Sequence, residues 1–592
     1  MNALQAARPD LRASRLDALA RRERTTVLVV GGGINGISTF RELALQGLDV
    51  VLVERGDWCE AASGALSRMI HGGLRYMETG EFALVRESLL ERNRLLANAP
   101  HFVSPLPTTV PLFDYTSGIA SALQRFLRLT ERKARRGGVI VKIGLTLYDI
   151  FAAPSPMPKH RFHGRSATFR RWPDFNREIA CSATYYDGQI SQPERLGFEM
   201  IADAMAANPQ ALAVNYVRMT GTKDGRVMLA DTLSGRLFSL QPDVVVNATG
   251  AWIDFANEAL TPPEARPNAS PPRMIGGTKG SHLIVDNPRL YDALGDEMVY
   301  YENREGRVCI LFRYFDRVLI GSTDIPVSDP DGLRCEDDEI AYILDSVRLI
   351  FPDLPIRREE IVYTFAGTRP LPASDASVVG RISRDHSCPV VPATAGRPFP
   401  VYCMVGGKWT TFRAFGEQVA DKVLDALHLS RSVSTADLPI GGGRHYPASA
   451  GERTAWIEAC ARATGLTQAR VEALLRRYGT SARAMAEELG EQGDTPLAGL
   501  PEFSRQELDY LARREDVETL ADLLLRRTPI GITGRLDLSV AEEAADVLAG
   551  AKGWSRAERE QRLDDFITRL ARDHAVRLER TADELHAKRR VS

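Results

Sequence analysis

The residues with the clearest chemical spacing lie near the start of the chain. Gly31-Gly32-Gly33-Ile34-Asn35-Gly36 is a G-x-G-x-x-G, and Glu54 follows it at the end of an apolar run. Glycines at this spacing serve a tight turn at Gly31, close approach of backbone to a pyrophosphate at Gly33, and close helix–strand packing at Gly36. A helix beginning here aims free N–H groups and its positive dipole end at phosphates, while an acid placed like Glu54 accepts ribose hydroxyl protons. Glycine spacing alone is weak, since a glycine-rich turn in any α/β protein can show it. The flanks make it specific. Val27-Leu28-Val29-Val30 precedes it, a helical pattern from Ile37 to Gly47 follows, and Val50-Val51-Leu52-Val53 leads into Glu54. Strand, glycine turn, helix, strand and acid in register mark a dinucleotide site.

A second set of residues is cationic. Ile70-His71-Gly72-Gly73-Leu74-Arg75-Tyr76 carries an imidazole, a guanidinium and a phenol; Arg369 sits between Gly367 and Pro370; Arg384 lies in Arg381-Ile382-Ser383-Arg384-Asp385; Lys408 follows Gly406-Gly407. Arginine forks match phosphate geometry and lysine adds a point charge, so this surplus of cations fits a small phosphorylated substrate better than an amino acid. His71 is the first choice of general base, because an imidazole beside cations is held neutral. Substrate hydrogen bonding and a structural role stay open for it. Arg369 is also placed to hold a substrate hydroxyl. His282 is a weaker second histidine, and Asp324 in Ser322-Thr323-Asp324-Ile325-Pro326 reads as a turn-former.

Elements must carry these groups to one place. With 592 residues the chain is long enough for two or three domains. Its formal net charge of -2 gives no global basic field, so nucleic acid is not an expected partner. Seven scattered cysteines without a C-x-x-C pair fit a reducing compartment and argue against a zinc site. Residues 1–24 are basic and alanine-rich, lack the apolar core of a secretory signal, and read as a solvated extension rather than a docked helix. No run of about 18 apolar residues marks a spanning helix, so membrane contact would be peripheral. The best stretch for it is Ile119 to Arg136, dense in arginine, abutting the apolar run Val139 to Phe151. That apolar run, Tyr185-Tyr186-Asp187-Gly188-Gln189-Ile190, the segment from Gly276 to Val285, Val308 to Phe312 and Val318 to Asp324 read as an antiparallel sheet. Asp243 to Asn247 reads as a buried strand ending near Gly250, and Phe365 to Leu371 as a loop. From Ala455 to Leu548 the composition turns to Ala, Glu, Arg and Leu with helical period, and Arg556 to Ser592 reads as a charged helix.

The runs GGGINGIS, SRMIHGGLRYME, VNATGAW, KGSH, GSTD, GTRPL and GGKWTTFR, spread over Val27 to Leu427, resemble FAD-dependent glycerol-3-phosphate dehydrogenases. The resemblance implies an α/β fold: a Rossmann-like FAD-binding domain (25–110, 195–275 and 365–430), an inserted mixed or antiparallel β-rich substrate domain (111–194 and 276–364), and an α-helical C-terminal domain (440–592). It implies non-covalent FAD held by Gly31, Gly33, Gly36, Glu54, Ser67, Gly250, Gly407 and Thr410. The helix after Gly407 would present its N-terminus to the pyrimidine end of the flavin, where reduction places negative charge. His71 and Arg369 would be catalytic, and Arg75, Tyr76, Arg369, Arg384 and Lys408 would bind substrate. The implied reaction oxidises sn-glycerol 3-phosphate to dihydroxyacetone phosphate, with hydride from C2 going to flavin N5 and electrons passing to a quinone. The implied setting is cytoplasmic, peripheral on the inner face of the cell membrane, with homo-oligomerisation open. Competing readings are an oxidase that uses oxygen, an amine or amino-acid oxidase, and a non-catalytic flavin-binding protein. Departures are the N-terminal arm, the long arginine-rich segment, and Arg68, where many relatives carry lysine.

Overall fold

The computed structural model describes residues 11–74, 81–115, 138–152, 157–262, 272–373 and 385–578. Arg75, Tyr76, Arg384 and the arginine-rich run from 119 to 136 lie outside them.

Two sheets organise the described residues. In the first, the parallel strands run in the order Val401–Cys403, Leu237–Asn247, Arg24–Val30, Val50–Val53, Leu212–Val214. Val27, Val29, Val50 and Leu52 face one core and Leu28, Val30, Val51 and Val53 another. Burial on both faces is why these strands are unbroken apolar runs rather than alternating ones. The helix Ile34–Leu45 packs on this sheet against Pro193–Ala207 and Phe412–Ala426.

The second sheet has the order Ile325–Val327, Ile275–Val285, Arg317–Gly321, Val308–Tyr314, Met298–Glu302, Val103–Leu112, Cys181–Ile190, Met69–Ile70. Its pairings are antiparallel except Met298–Glu302 with Val103–Leu112. A third unit of helices runs from Ala450–Thr464 to Arg556–His574 around its own apolar core.

Three local expectations change. The apolar run from 139 to 151 is not a strand: Gly138–Ala152 is a helix, with Val141, Leu145 and Tyr148 buried on one side and Ile143, Leu147, Ile150 and Phe151 exposed on the other. An apolar run of that length carries no period that separates a buried strand from a helix. The expected loop from 365 to 371 belongs to a long strand, Ile361–Pro372, paired with Ile275–Val285 from Ile275↔Pro372 to Val285↔Ile361. The N-terminal arm includes a docked helix, Leu11–Arg21, with Leu16 and Leu19 buried and Arg12 bonded to Asp231 at 2.6 Å.

Candidate functional site

The glycine turn is shaped by what presses on it. Gly31 has φ +114°, and a Cβ there would stand 2.6 Å from the Ala248 carbonyl oxygen. A Cβ on Gly36 would stand 2.0 Å from the Gly31 oxygen. Both positions therefore require glycine, one for backbone conformation and one for helix–strand contact. Glu54 accepts from the Gly32 N–H at 2.6 Å and the Gly56 N–H at 2.9 Å. Burial pushes its carboxyl up, against the pull of these two donors. Gly33 caps the helix Ile34–Leu45 without a side-chain partner, and the Ile34 N–H reaches the Ser63 hydroxyl at 2.9 Å. A hydroxyl oxygen thus sits where an anion's oxygen would serve the helix N-terminus.

The second glycine pair lies on the first. Gly406 and Gly407 have φ +79° and +90°, and a Cβ on Gly407 would stand 2.7 Å from Asn35 Nδ2. Asn35 Nδ2 donates to the Gly406 carbonyl at 3.2 Å, while its Oδ1 is buried with no hydrogen-bond partner. That orphaned acceptor, the Gly31–Gly36 cradle and the helix N-terminus beside it are features that suit an extended dinucleotide such as FAD. Among the described residues, those present fit the cofactor.

The same turn bears Lys408 and anchors the His71 loop. The Thr410 hydroxyl donates to the His71 carbonyl at 3.1 Å and accepts from the His71 N–H at 3.2 Å, so the imidazole-bearing loop is fixed to the 406–411 turn. Lys408 Nζ donates to the Ser88 hydroxyl at 2.6 Å. Ser67 Oγ lies 2.8 Å from His282 Nε2. Burial, then the charge of Arg369, holds His282 well below the usual histidine range, so its ring is neutral. Arg369 donates to Asp324 Oδ1 at 2.9 Å, to the Thr323 carbonyl at 3.0 Å and to the Ser322 hydroxyl at 2.9 Å. Asp324 is therefore more than a turn residue: it is an ion partner of the arginine. Gly250, at φ +62°, opens the short helix Gly250–Trp252, and its missing Cβ faces Pro370, next to Arg369.

The structure thus brings Gly31, Gly33, Gly36, Glu54, Ser67, His71, Gly250, Arg369, Gly407, Lys408 and Thr410 into linked segments. Arg75, Tyr76 and Arg384 lie outside the described residues.

Three contributors escaped the sequence. Asn35 occupies a variable position of the glycine motif, and Ser63 is one small residue in a small-residue loop. The third is Asp187, whose Oδ1 accepts from the Gly72 N–H at 3.0 Å, from Tyr148 Oη at 2.6 Å and from Arg92 Nη1 at 3.1 Å. Burial raises its carboxyl, and Arg92 and Tyr148 pull it back. These three donors come from distant segments, so no local spacing announces them.

The profile of the family described as "FAD dependent oxidoreductase" matches residues 26–422, and that described as "C-terminal domain of alpha-glycerophosphate oxidase" matches 433–559. A curated glycerol-3-phosphate dehydrogenase of Synechocystis sp. is 31% identical over 559 residues, covering 91% of this chain and 95% of that one. One from Pseudomonas aeruginosa is 30% identical, covering 86% and 92%. The crystal structure of a glycerol-3-phosphate dehydrogenase from Bacillus halodurans, complexed with FAD, superposes with a TM-score of 0.71 at 21% identity, over 95% of this chain and 97% of that one. At that identity the superposition shows a shared fold.

Proposed function

The chain belongs to the family of FAD-dependent glycerol-3-phosphate dehydrogenases, with FAD as its cofactor, and from that premise we propose that it oxidises sn-glycerol 3-phosphate to dihydroxyacetone phosphate and delivers the electrons to a quinone. The observation that carries this reading is the double hydrogen bond of Thr410 to the His71 backbone. It sets the imidazole loop on the turn that also lies against Asn35 of the glycine cradle and bears Lys408. Gly31, Gly33, Gly36, Glu54, Ser67, Gly250, Gly407 and Thr410 hold the cofactor. Bound FAD supplies the acceptor for the hydride that leaves C2 of the substrate.

The protein's own groups do the rest. Lys408 and Arg369, with Arg75, Tyr76 and Arg384, bind the phosphate ester and favour the developing carbonyl oxygen. Arg369 is 24% exposed and already tied to Asp324, so it arrives pre-oriented rather than searching rotamers. His71 takes the C2 hydroxyl proton on a ring nitrogen.

The quinone reading gains support from a surface. Ile143, Leu147, Ile150 and Phe151 of Gly138–Ala152 are exposed beside Phe82 and Leu90 of Phe82–Asn98, and Phe82 stacks on Phe151 at 5.9 Å between centroids. No helix among the described residues is long and apolar enough to cross a membrane. An exposed apolar face of this kind suits peripheral contact with the inner leaflet, where a lipid-soluble acceptor resides.

The test is anaerobic. Adding sn-glycerol 3-phosphate to the holoenzyme bleaches the visible flavin band, and glycerol does not. Absence of bleaching overturns the substrate. Recovery of colour with a quinone analogue but only slowly with oxygen supports the acceptor, and the reverse makes the protein an oxidase.

A further inference from the structure

The loop between Glu54 and Ser67 forms the outer wall of the nucleotide cradle. Cys59 N–H donates to the Gly32 carbonyl at 3.0 Å, and a Cβ on Gly32 would meet the Trp58 ring at 2.5 Å. Ser63 then meets the Ile34 N–H. Within this wall Asp57 is a charged anchor, 1% exposed.

Asp57 is gripped by the helical C-terminal unit. Arg527 binds it with both ends of its fork, Nη1 to Oδ2 at 2.7 Å and Nη2 to Oδ1 at 2.8 Å, and Arg526 Nε adds a bond to Oδ2 at 2.6 Å. Asn215 Nδ2 supplies a fourth donor at 3.0 Å. The residues that follow are tied to the same unit: Trp58 Nε1 donates to Asp516 at 3.0 Å, and Glu60 pairs with Arg569. Arg195 of the helix Pro193–Ala207 closes the network by a fork on Glu515 and a bond to the Arg527 carbonyl. Burial alone would raise the Asp57 carboxyl; Arg527 and Arg526 more than offset this, so it stays ionised. A buried carboxylate with this donor set is committed to one position, because leaving the forks would strand charges on both sides.

We propose that Asp57 is a positioning residue for the FAD cradle, and that through Arg526 and Arg527 the C-terminal helical domain sets how tightly the cofactor is held. The loop that covers Gly32 and caps Ile34 has no helix or strand of its own; Trp58 and Cys59 seat it in the core, and its charged residues find their partners outside it. Arg526 and Arg527 of this domain supply three of the four donors that hold Asp57. The same domain also reaches the strand that bears Arg369, through His574 Nδ1 to the Thr364 carbonyl at 3.0 Å and the stacking of His574 on Tyr363.

Two measurements test this, one on variants and one on the wild type. In the first, FAD is titrated into apoprotein and its fluorescence followed for wild type, Asp57→Asn and Arg527→Lys. Asp57→Asn weakens FAD binding by about tenfold or more, Arg527→Lys weakens it less, and excess FAD restores turnover. An unchanged dissociation constant in folded Asp57→Asn overturns the proposal. So does weakened turnover that excess FAD does not restore, which marks a general structural role. The second measurement needs no variant and decides the matter if Asp57→Asn does not fold. Amide hydrogen exchange is compared in wild-type apoprotein with and without FAD. By reciprocity, FAD slows exchange across 515–528 as well as 31–67. Protection confined to 31–67 overturns the coupling.

Discussion

Replacing Gly36 with alanine separates two opposed effects whose sizes the structure sets. Gly36 lies in the first turn of Ile34–Leu45, where alanine is preferred over glycine by up to about 1 kcal/mol. Against that, the new methyl would stand 2.0 Å from the Gly31 oxygen and 3.0 Å from the Ala248 Cβ. Ordinary contact begins at 3.4 Å, so the Gly31 carbonyl must retreat by 3.4 − 2.0 = 1.4 Å. Gly31 cannot yield freely, since its N–H is bonded to the Val53 carbonyl at 2.9 Å and its Cα faces the Ala248 carbonyl. Overpacking against backbone costs about 1–3 kcal/mol and exceeds the helical gain. At so short a contact the cost lies at the upper end of that range, and the net effect is a loss of about 2 kcal/mol in stability. With Gly31 as the proposed backbone contact of the cofactor, a displacement of over 1 Å there lowers FAD affinity by about 10- to 100-fold. The assay is fluorescence titration of FAD into apoprotein, paired with urea unfolding. Gly550→Ala is the control: it lies in the helix Leu538–Lys552 with nothing within 4 Å of its Cβ, so it gains helix propensity and leaves FAD binding unchanged. A Gly36→Ala protein that binds FAD within about twofold of wild type would refute the packing argument.

Four further outcomes follow from the geometry. Lys408→Met raises the KM for sn-glycerol 3-phosphate by about 10- to 100-fold, the range of a lost charge-assisted bond of about 1.5–3 kcal/mol; steady-state kinetics at saturating FAD check this. Tyr148→Phe removes one of three donors to Asp187 Oδ1 and lowers the urea midpoint by the equivalent of about 1–2 kcal/mol, and an unmoved midpoint shows that Arg92 and Gly72 suffice. Burial holds His574 down at about 4, below its ordinary 6.5. The unfolded chain therefore takes up that proton first, and the contribution to stability, complete above about 6.5, is lost as pH falls towards 4. His574→Asn flattens this part of the urea-midpoint profile, and a variant profile parallel to wild type contradicts the assignment. Ile150→Glu places a charge on the exposed face of Gly138–Ala152 and reduces co-sedimentation with anionic vesicles, whereas undiminished co-sedimentation moves the contact elsewhere.

What the sequence determined by itself was local. The strand–glycine–helix–strand–acid order from Val27 to Glu54 is written in adjacent residues, because apolar period and glycine spacing act over one or two turns of chain. The turn at Gly406–Gly407 and the helices beyond Ala450 were legible for the same reason. The tertiary structure decided what depends on partners far along the chain. The apolar run from 139 to 151 became a helix because one side packs on Leu89, Leu112 and Tyr185. The segment around Arg369 became a strand because Ile275–Val285 pairs with it along its length. Asp57 and Arg527 stand 470 positions apart, and neither residue's neighbours in sequence foretell the bond. Register between distant strands and pairing of buried charges are settled by the free energy of burying them together, a quantity no short window of sequence contains.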